Sequence, residues 1–180
     1  MTEARLLPGG QRASLRLERH LVDPPQVVWG ALTEHHQLVS WFPCDVEVVG
    51  GDWKVGAAIL FRFSPEVIDI TLHGQVLAVE EPRLLIFTWG DETLRFDLSA
   101  EGTGTLLVLT DELPPGIAAR NAAGWEQCLI RLDRHQATGE PDWKASFDSY
   151  ATEFSPLLGP QEGPPSDHKV VNSAREGHAD

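Results

Sequence analysis

Ala122–Gly139 reads AAGWEQCLIRLDRHQATG, and its spacing decides the fold. Trp125, Leu129 and Leu132 recur at i, i+4 and i+7, with Cys128 beside them and Ala118 and Ala122 extending the stripe towards the N-terminus. One side of a helix is therefore apolar, while Glu126, Arg131, Asp133 and Arg134 fall on the others. The pattern follows Leu113-Pro114-Pro115-Gly116 and predicts one long helix over 117–137. Such a stripe must face another apolar surface, and the sequence before it supplies a sheet.

From Cys44 to Leu113 the period changes from 3.6 to two. The runs DVEVV, AAILFRF, VIDITLHGQVLAV, RLLIFTW, TLRFDLS and TLLVLTDEL are separated by turn residues such as Gly50-Gly51-Asp52, Ser64-Pro65-Glu66 and Gly90-Asp91. Connections this short join antiparallel neighbours. A further strand, SLRLERHLV, alternates Leu15, Leu17 and Leu21 against Ser14, Arg16, Glu18 and His20, which puts Arg19 on the apolar face. Asp23-Pro24-Pro25 then opens VVWGALTEHHQLVSWF, read as two short helical pieces broken near Thr33. The element order is strand, helices, about six strands and a long helix, an α+β domain in which the helix covers one face of an antiparallel sheet.

The ends differ in character from this middle. Residues 1–12 carry Pro8-Gly9-Gly10 and no periodicity, and residues 159–180 are rich in Gly, Pro, Ser and charge. Both are expected to stay unstructured for want of apolar surface to bury, leaving one domain over 13–158. WKASFDSYATEF, 143–154, reads as a short terminal helix.

The charge balance excludes several functions. Twenty-seven acids against 14 bases give a net charge of −13, which is wrong for tracking nucleic-acid phosphates or anionic membranes. No run approaches a membrane span or a signal peptide, and Cys44 and Cys128 are far apart, so a reduced, cytosolic chain without membrane insertion is expected. Six tryptophans and seven phenylalanines are enough to fill a core or line a cavity.

Four stretches carry a family resemblance: ERHLVDPPQVVWGALTEHHQLVSWF (18–42), VVGGDWKVGAAILF (48–61), HGQVLAVEEPRLLIFTW (73–89) and GTGTLLVLTDELPPGIAARNAAGWEQCLIRL (102–132). In order and without a large gap, they resemble the C-terminal-domain family of the activators of heat-shock protein 90 ATPase (AHSA-type), within the helix-grip superfamily of START-related (SRPBCC) and pollen-allergen-like proteins. The resemblance implies a helix-grip fold: about seven antiparallel strands curved around a long C-terminal helix, with two short helices closing one end and often a cavity between sheet and helix. It implies no single chemistry. Relatives include stress-related co-chaperone modules, lipid and hormone binders, and polyketide cyclase or dehydratase-like enzymes. Unlike the co-chaperones, the chain is expected to lack a separate N-terminal partner domain.

On that frame Trp41, Phe42, Trp53, Phe61, Phe63, Trp89, Trp125, Leu129 and Leu132 are candidates to line a cavity for a hydrophobic small molecule, each alternatively a core residue. Arg19 is either the ligand's polar anchor or half of a structural ion pair. His73 with Asp69 would make an acid/base pair only if that side of their strand were concave; otherwise they are solvated. His35-His36 with Cys44 lack the spacing of a metal site, Cys128 reads as a small buried hydrophobe, and His135 as a helix-end cation or a group at the pocket mouth. Catalytic residues, metal and cofactor are expected to be absent. The expected function is small-molecule binding by a monomer or homodimer, with a chaperone or other protein as the alternative partner and a cyclase-like enzyme as the third reading.

Overall fold

The computed structural model describes residues 3–7, 12–66, 68–133, 139 and 141–164. Eight antiparallel strands form one curved, unclosed sheet: β1 (Arg5–Leu7), β2 (Ala13–Leu21), β3 (Asp45–Val48), β4 (Ala58–Arg62), β5 (Thr71–Glu80), β6 (Leu84–Trp89), β7 (Glu92–Glu101) and β8 (Gly104–Leu113). Their order across the sheet is β1-β2-β8-β7-β6-β5-β4-β3. Every hairpin is a neighbour in sequence except β2 with β8, where the first long strand closes on the last (Leu17 opposite Leu109). Residues on the covered face, among them Leu15, Leu17, Ile59, Phe61, Leu85, Leu94, Leu107 and Leu109, are fully buried.

Between β2 and β3 lie α1 (Pro25–Thr33) and α2 (His35–Leu38). The break falls at Glu34, whose extended backbone (φ −86°, ψ 121°) separates them. Helix α3 (Ala118–Leu132) enters through a 3-10 turn at Pro115–Ile117 and ends at Asp133, shorter than the expected 117–137; residues 134–137 lie outside the described residues. Its buried residues form two adjoining strips, Ala118, Ala122, Trp125, Leu129 and Leu132 on one and Ala119 and Ala123 on the next, because α3 is covered twice. The sheet takes one side and α4 (Trp143–Leu158) the other, and the alanines let both approach closely. Asp142 caps α4 by accepting from the Ala145 N–H, and Tyr150 and Phe154 are buried.

Three expectations about the chain ends change. The sheet has eight strands where about seven were expected, because Arg5–Leu7 pairs with β2 inside the segment expected to lack structure. Three residues cannot display a period of two, and the strand is held by tertiary contacts: Leu6 packs on the core, Ala4 is buried, and the Ala4 N–H donates to Tyr150 Oη at 2.9 Å. Residues 159–164, expected to belong to a free tail, return to the start of α3. There the Glu162 N–H donates to the Gly116 carbonyl at 2.8 Å. Residues 1, 2, 8–11 and 165–180 of those two segments lie outside the described residues.

Gly74 in β5 is a site of close approach. A Cβ there would fall 2.0 Å from the Thr88 carbonyl oxygen and 2.7 Å from the Phe61 ring, so only a hydrogen fits beside them.

Candidate functional site: an aromatic groove and a buried carboxyl pair

The alternation of β4 and β6 sends Phe61, Phe87 and Trp89 to the covered face, and the spacing of α3 sends Trp125 down to meet them. Phe42, just past α2, closes the group: its ring centroid lies 6.0 Å from Phe61, 6.0 Å from Trp89 and 5.6 Å from Trp125. Trp89 and Trp125 are 5.4 Å apart, Phe63 stacks on Trp89 at 6.2 Å, and Trp41 and Trp53 join through Phe96 and Phe87. The seven candidate aromatics thus form one ring network. Trp41, Phe42, Phe61, Trp125, Leu129 and Leu132 are buried within it, whereas Trp53, Phe63 and Trp89 are half-buried.

The indole N–H groups separate the tryptophans by role. Trp41 donates to the Ala31 carbonyl and Trp53 to the Thr33 carbonyl, each at 2.8 Å, fastening α1 over the core. Trp125 donates to Asp111 Oδ2 at 2.9 Å. The Trp89 N–H is shielded from water and has the Cys44 thiol, a weak acceptor, as its neighbour.

An open groove of about 430 Å³ lies where α2 runs into β3 and β4. Val39, Phe42, Pro43 and Phe63 are its apolar walls, and Cys44, Asp45, Arg62 and Ser64 its polar ones. Burial pushes the Cys44 thiol up to about 12, so it is a neutral wall and not a nucleophile. At the rim Asp45 meets His35 at 2.6 Å, and Arg62 meets Glu47 at 2.6 Å. Of the sequence candidates, Phe42 and Phe63 line this groove and Trp89 stands directly behind them.

Arg19 is elsewhere. It is 5% exposed and bonded through Nη2 to Asp133 Oδ2 at 3.1 Å, a buried ion pair that ties β2 to the C-terminal end of α3. His73 and Asp69 are exposed, so the side of β5 that carries His73 faces solvent. His35 and His36 lie at the surface against Asp45 and Glu34, and among the described residues no three His, Cys, Asp or Glu side chains converge as metal ligands. Cys128 is buried, and His135 lies outside the described residues. Helix α4 packs on α3 and the N-terminal strand, with none of its residues in the groove walls.

Sequence reasoning missed a second polar cluster. Asn121 Nδ2 donates to Glu92 Oε2 at 2.7 Å and to Asp111 Oδ2 at 3.0 Å, so one amide bridges two carboxyl groups from adjacent strands. Asp111 is fully buried, and its Oδ1 has no partner among the described residues. Burial raises both acids. Asp111, which collects the Asn121 and Trp125 donors, reaches only about 6, whereas Glu92, further raised by the Asp111 charge, reaches about 8. The two therefore hold a proton between them at neutral pH. A signal was present in TLLVLTDEL: Leu107, Leu109, Asp111 and Leu113 share one face, which marks Asp111 as a buried acid by the same reasoning that marked Arg19.

Comparison with known proteins places this arrangement in a family. The family model described as Activator of Hsp90 ATPase homolog 1-like protein matches residues 23–136. Among solved structures, a conserved protein of unknown function from Enterococcus faecalis is 26% identical with a TM-score of 0.72, covering 86% of this chain and 91% of that one. CalU16 from Micromonospora echinospora is 23% identical with a TM-score of 0.65, covering 86% of this chain and 96% of its own. DynU16, a protein of the dynemicin biosynthetic locus, is 24% identical with a TM-score of 0.58, over 71% of this chain and 48% of that one. No curated protein matches. Among the described residues no helix is long and apolar enough to cross a membrane.

Proposed function

We propose, starting from the fact that this chain belongs to the activator of Hsp90 ATPase homolog 1-like family, that it binds an apolar or amphipathic small molecule in the groove walled by Phe42 and Phe63 and leaves it covalently unchanged. The groove itself supports the reading: about 430 Å³ lies inside the roughly 300–1,000 Å³ typical of small-ligand sites, and apolar walls with a few polar groups are the usual lining. Affinity would come from area removed from water, at about 25 cal/mol per Å², less the cost of association. The remaining candidates, Trp41, Trp53, Phe61, Trp125, Leu129 and Leu132, then serve as the floor that keeps Phe42, Phe63 and Trp89 in place, while Arg19 holds the fold.

The neutral dye Nile red tests this directly. Its fluorescence should rise on addition of the protein, and Val39→Trp, which fills the groove from an exposed position (53%), should abolish the rise without changing the unfolding midpoint. Equal dye binding by that variant would sink the assignment. A retained compound in native mass spectra of protein from its own cells would identify the class.

A second reading, a cyclase-like enzyme, draws on the Glu92–Asp111 pair, since two carboxyl groups with pKa values pushed apart suit one to donate and one to accept a proton. It requires a substrate that reaches Glu92, and Glu92→Gln should then stop turnover while leaving dye binding intact.

A further inference from the structure

The groove has an apolar inner side and a charged lip, and both follow from one alternation. On β3 and β4, Val46 and Phe61 turn to the core while Asp45, Glu47 and Arg62 turn outward. Asp45 and Arg62 stand opposite one another in the strand register, and both are groove walls. Their charges do not cancel. Arg62 Nη1 lies 2.6 Å from Glu47 Oε2 but 3.9 Å from Asp45 Oδ2, so its charge is engaged by Glu47. Asp45 Oδ1 meets His35 Nε2 at 2.6 Å, and a histidine counted neutral at pH 7 supplies a hydrogen-bond donor without a charge. Two carboxylates against one guanidinium leave the lip one negative charge in excess, and it falls on Asp45.

We infer that the groove selects an amphipathic amine, whose apolar body lies against Phe42 and Phe63 and whose ammonium group meets Asp45 at the lip. This rests on the groove being the binding site and names the ligand class for it. Three features define the class. The Asp45 side chain is 43% exposed, so a cationic head can pair with it while keeping part of its hydration, and no buried charge has to be stripped of water. Two of the apolar walls, Phe42 and Phe63, are aromatic, and ring faces attract a cation. An anionic head is disfavoured, since it would have to displace Glu47 from Arg62 and lie beside Asp45, on a chain with a net charge of −13. A neutral head of the same size gains the apolar contact alone. Cys44 and Ser64, the other polar walls, bring no opposing charge, because burial keeps the thiol protonated and a hydroxyl is neutral.

Octylamine, 1-octanol and octanoate, which share an alkyl chain and differ in carrying a cationic, a neutral or an anionic head, make the test. Titrated by calorimetry at about pH 8, where histidine is neutral, the native chain should bind octylamine about fivefold more tightly than octanol, the upper end for a partly exposed ion pair, and octanoate more weakly than octanol. The ratio of amine to alcohol affinity is read within each chain, so a general loss of binding cancels. Asp45→Asn should bring that ratio to within about twofold of unity, and Arg62→Gln, which leaves Asp45 and Glu47 unopposed, should raise it. A loosened fold does not move the ratio in opposite directions in two variants of the same lip. No preference for the amine in the native chain, a ratio that Asp45→Asn leaves standing, or a fall in Arg62→Gln overturns the inference, while octanol binding keeps the groove as the site. If none of the three compounds binds the native chain, the groove assignment falls as well.

Discussion

At the C-terminal end of α3 a buried cation meets a buried anion, Arg19 to Asp133 at 3.1 Å; in its first turns two acids, Glu92 and Asp111, meet across the amide of Asn121. Both contacts join the helix to the sheet, and both take polar groups out of water. They balance charge differently. The first end is neutral as built, whereas the second becomes tolerable by keeping a proton, helped by the indole of Trp125 and by the positive end of the helix dipole nearby. The ion pair should thus be fragile to deletion, and the carboxyl pair sensitive to pH.

The largest effect is expected from Asp133→Ala. Removing one partner of a buried ion pair costs about 3–5 kcal/mol, and urea unfolding should show a loss of that size. A loss under about 1 kcal/mol would mean that Arg19 is satisfied without Asp133, and the contrast between the two ends would dissolve. Trp125→Phe is the matching change in the other region, keeping most of the ring volume while deleting the donor to Asp111 Oδ2. A loss of about 1–3 kcal/mol is expected, the cost of leaving a buried acceptor with fewer partners.

The pH dependence separates the two regions most cleanly. Glu92 and Asp111 have ordinary values of 4.5 and 3.8 and are raised in the folded chain, Glu92 to about 8, so the folded state binds more protons than the unfolded one between those limits. Their contribution is fully present at low pH and is lost as pH rises through about 8. Thermal unfolding should therefore occur at lower temperature at pH 9 than at pH 6. Glu92→Gln, which keeps a neutral group opposite the Asn121 amide, should recover about 2–4 °C of that drop, the shift that about 1 kcal/mol produces in a domain of this size. An unchanged slope in Glu92→Gln would show that the proton is held elsewhere.

The sequence made one of these regions legible and hid the other, for a physical reason. Arg19 stood out because a cation broke an apolar face within a single strand, and the break at Glu34, the α3 stripe and the six-strand run from β3 to β8 are likewise local patterns. Asp111 broke its face in the same way, but Glu92 and Asn121 carry no anomaly of their own; they acquire meaning only when β7, β8 and α3 are placed side by side. The groove lies at a junction of α2, β3 and β4, again a product of tertiary placement. Strand β1 and the docking of residues 159–164 belong to this second kind: short segments with ordinary composition, ordered by single contacts far along the chain.

One of those distant contacts gives the smallest and most local test of the comparison. Helix α3 starts without a side-chain cap of its own, since Ile117 occupies the capping position, and the Ala119 N–H instead donates to Gln161 Oε1 at 3.0 Å. The cap is thus delivered from 42 residues downstream, and Gln161 Nε2 returns a donor to the Pro115 carbonyl at 3.1 Å. Losing a capping oxygen costs about 0.5–2 kcal/mol, and a half-buried contact of this kind belongs at the low end. Gln161→Ala should therefore lower stability by about 0.5 kcal/mol, with faster amide exchange at Ala119 and Arg120 and none at Asp133. Exchange that quickened at both ends of α3 would mean that the helix opens as one unit, and that the ion pair and the carboxyl pair cannot be perturbed separately.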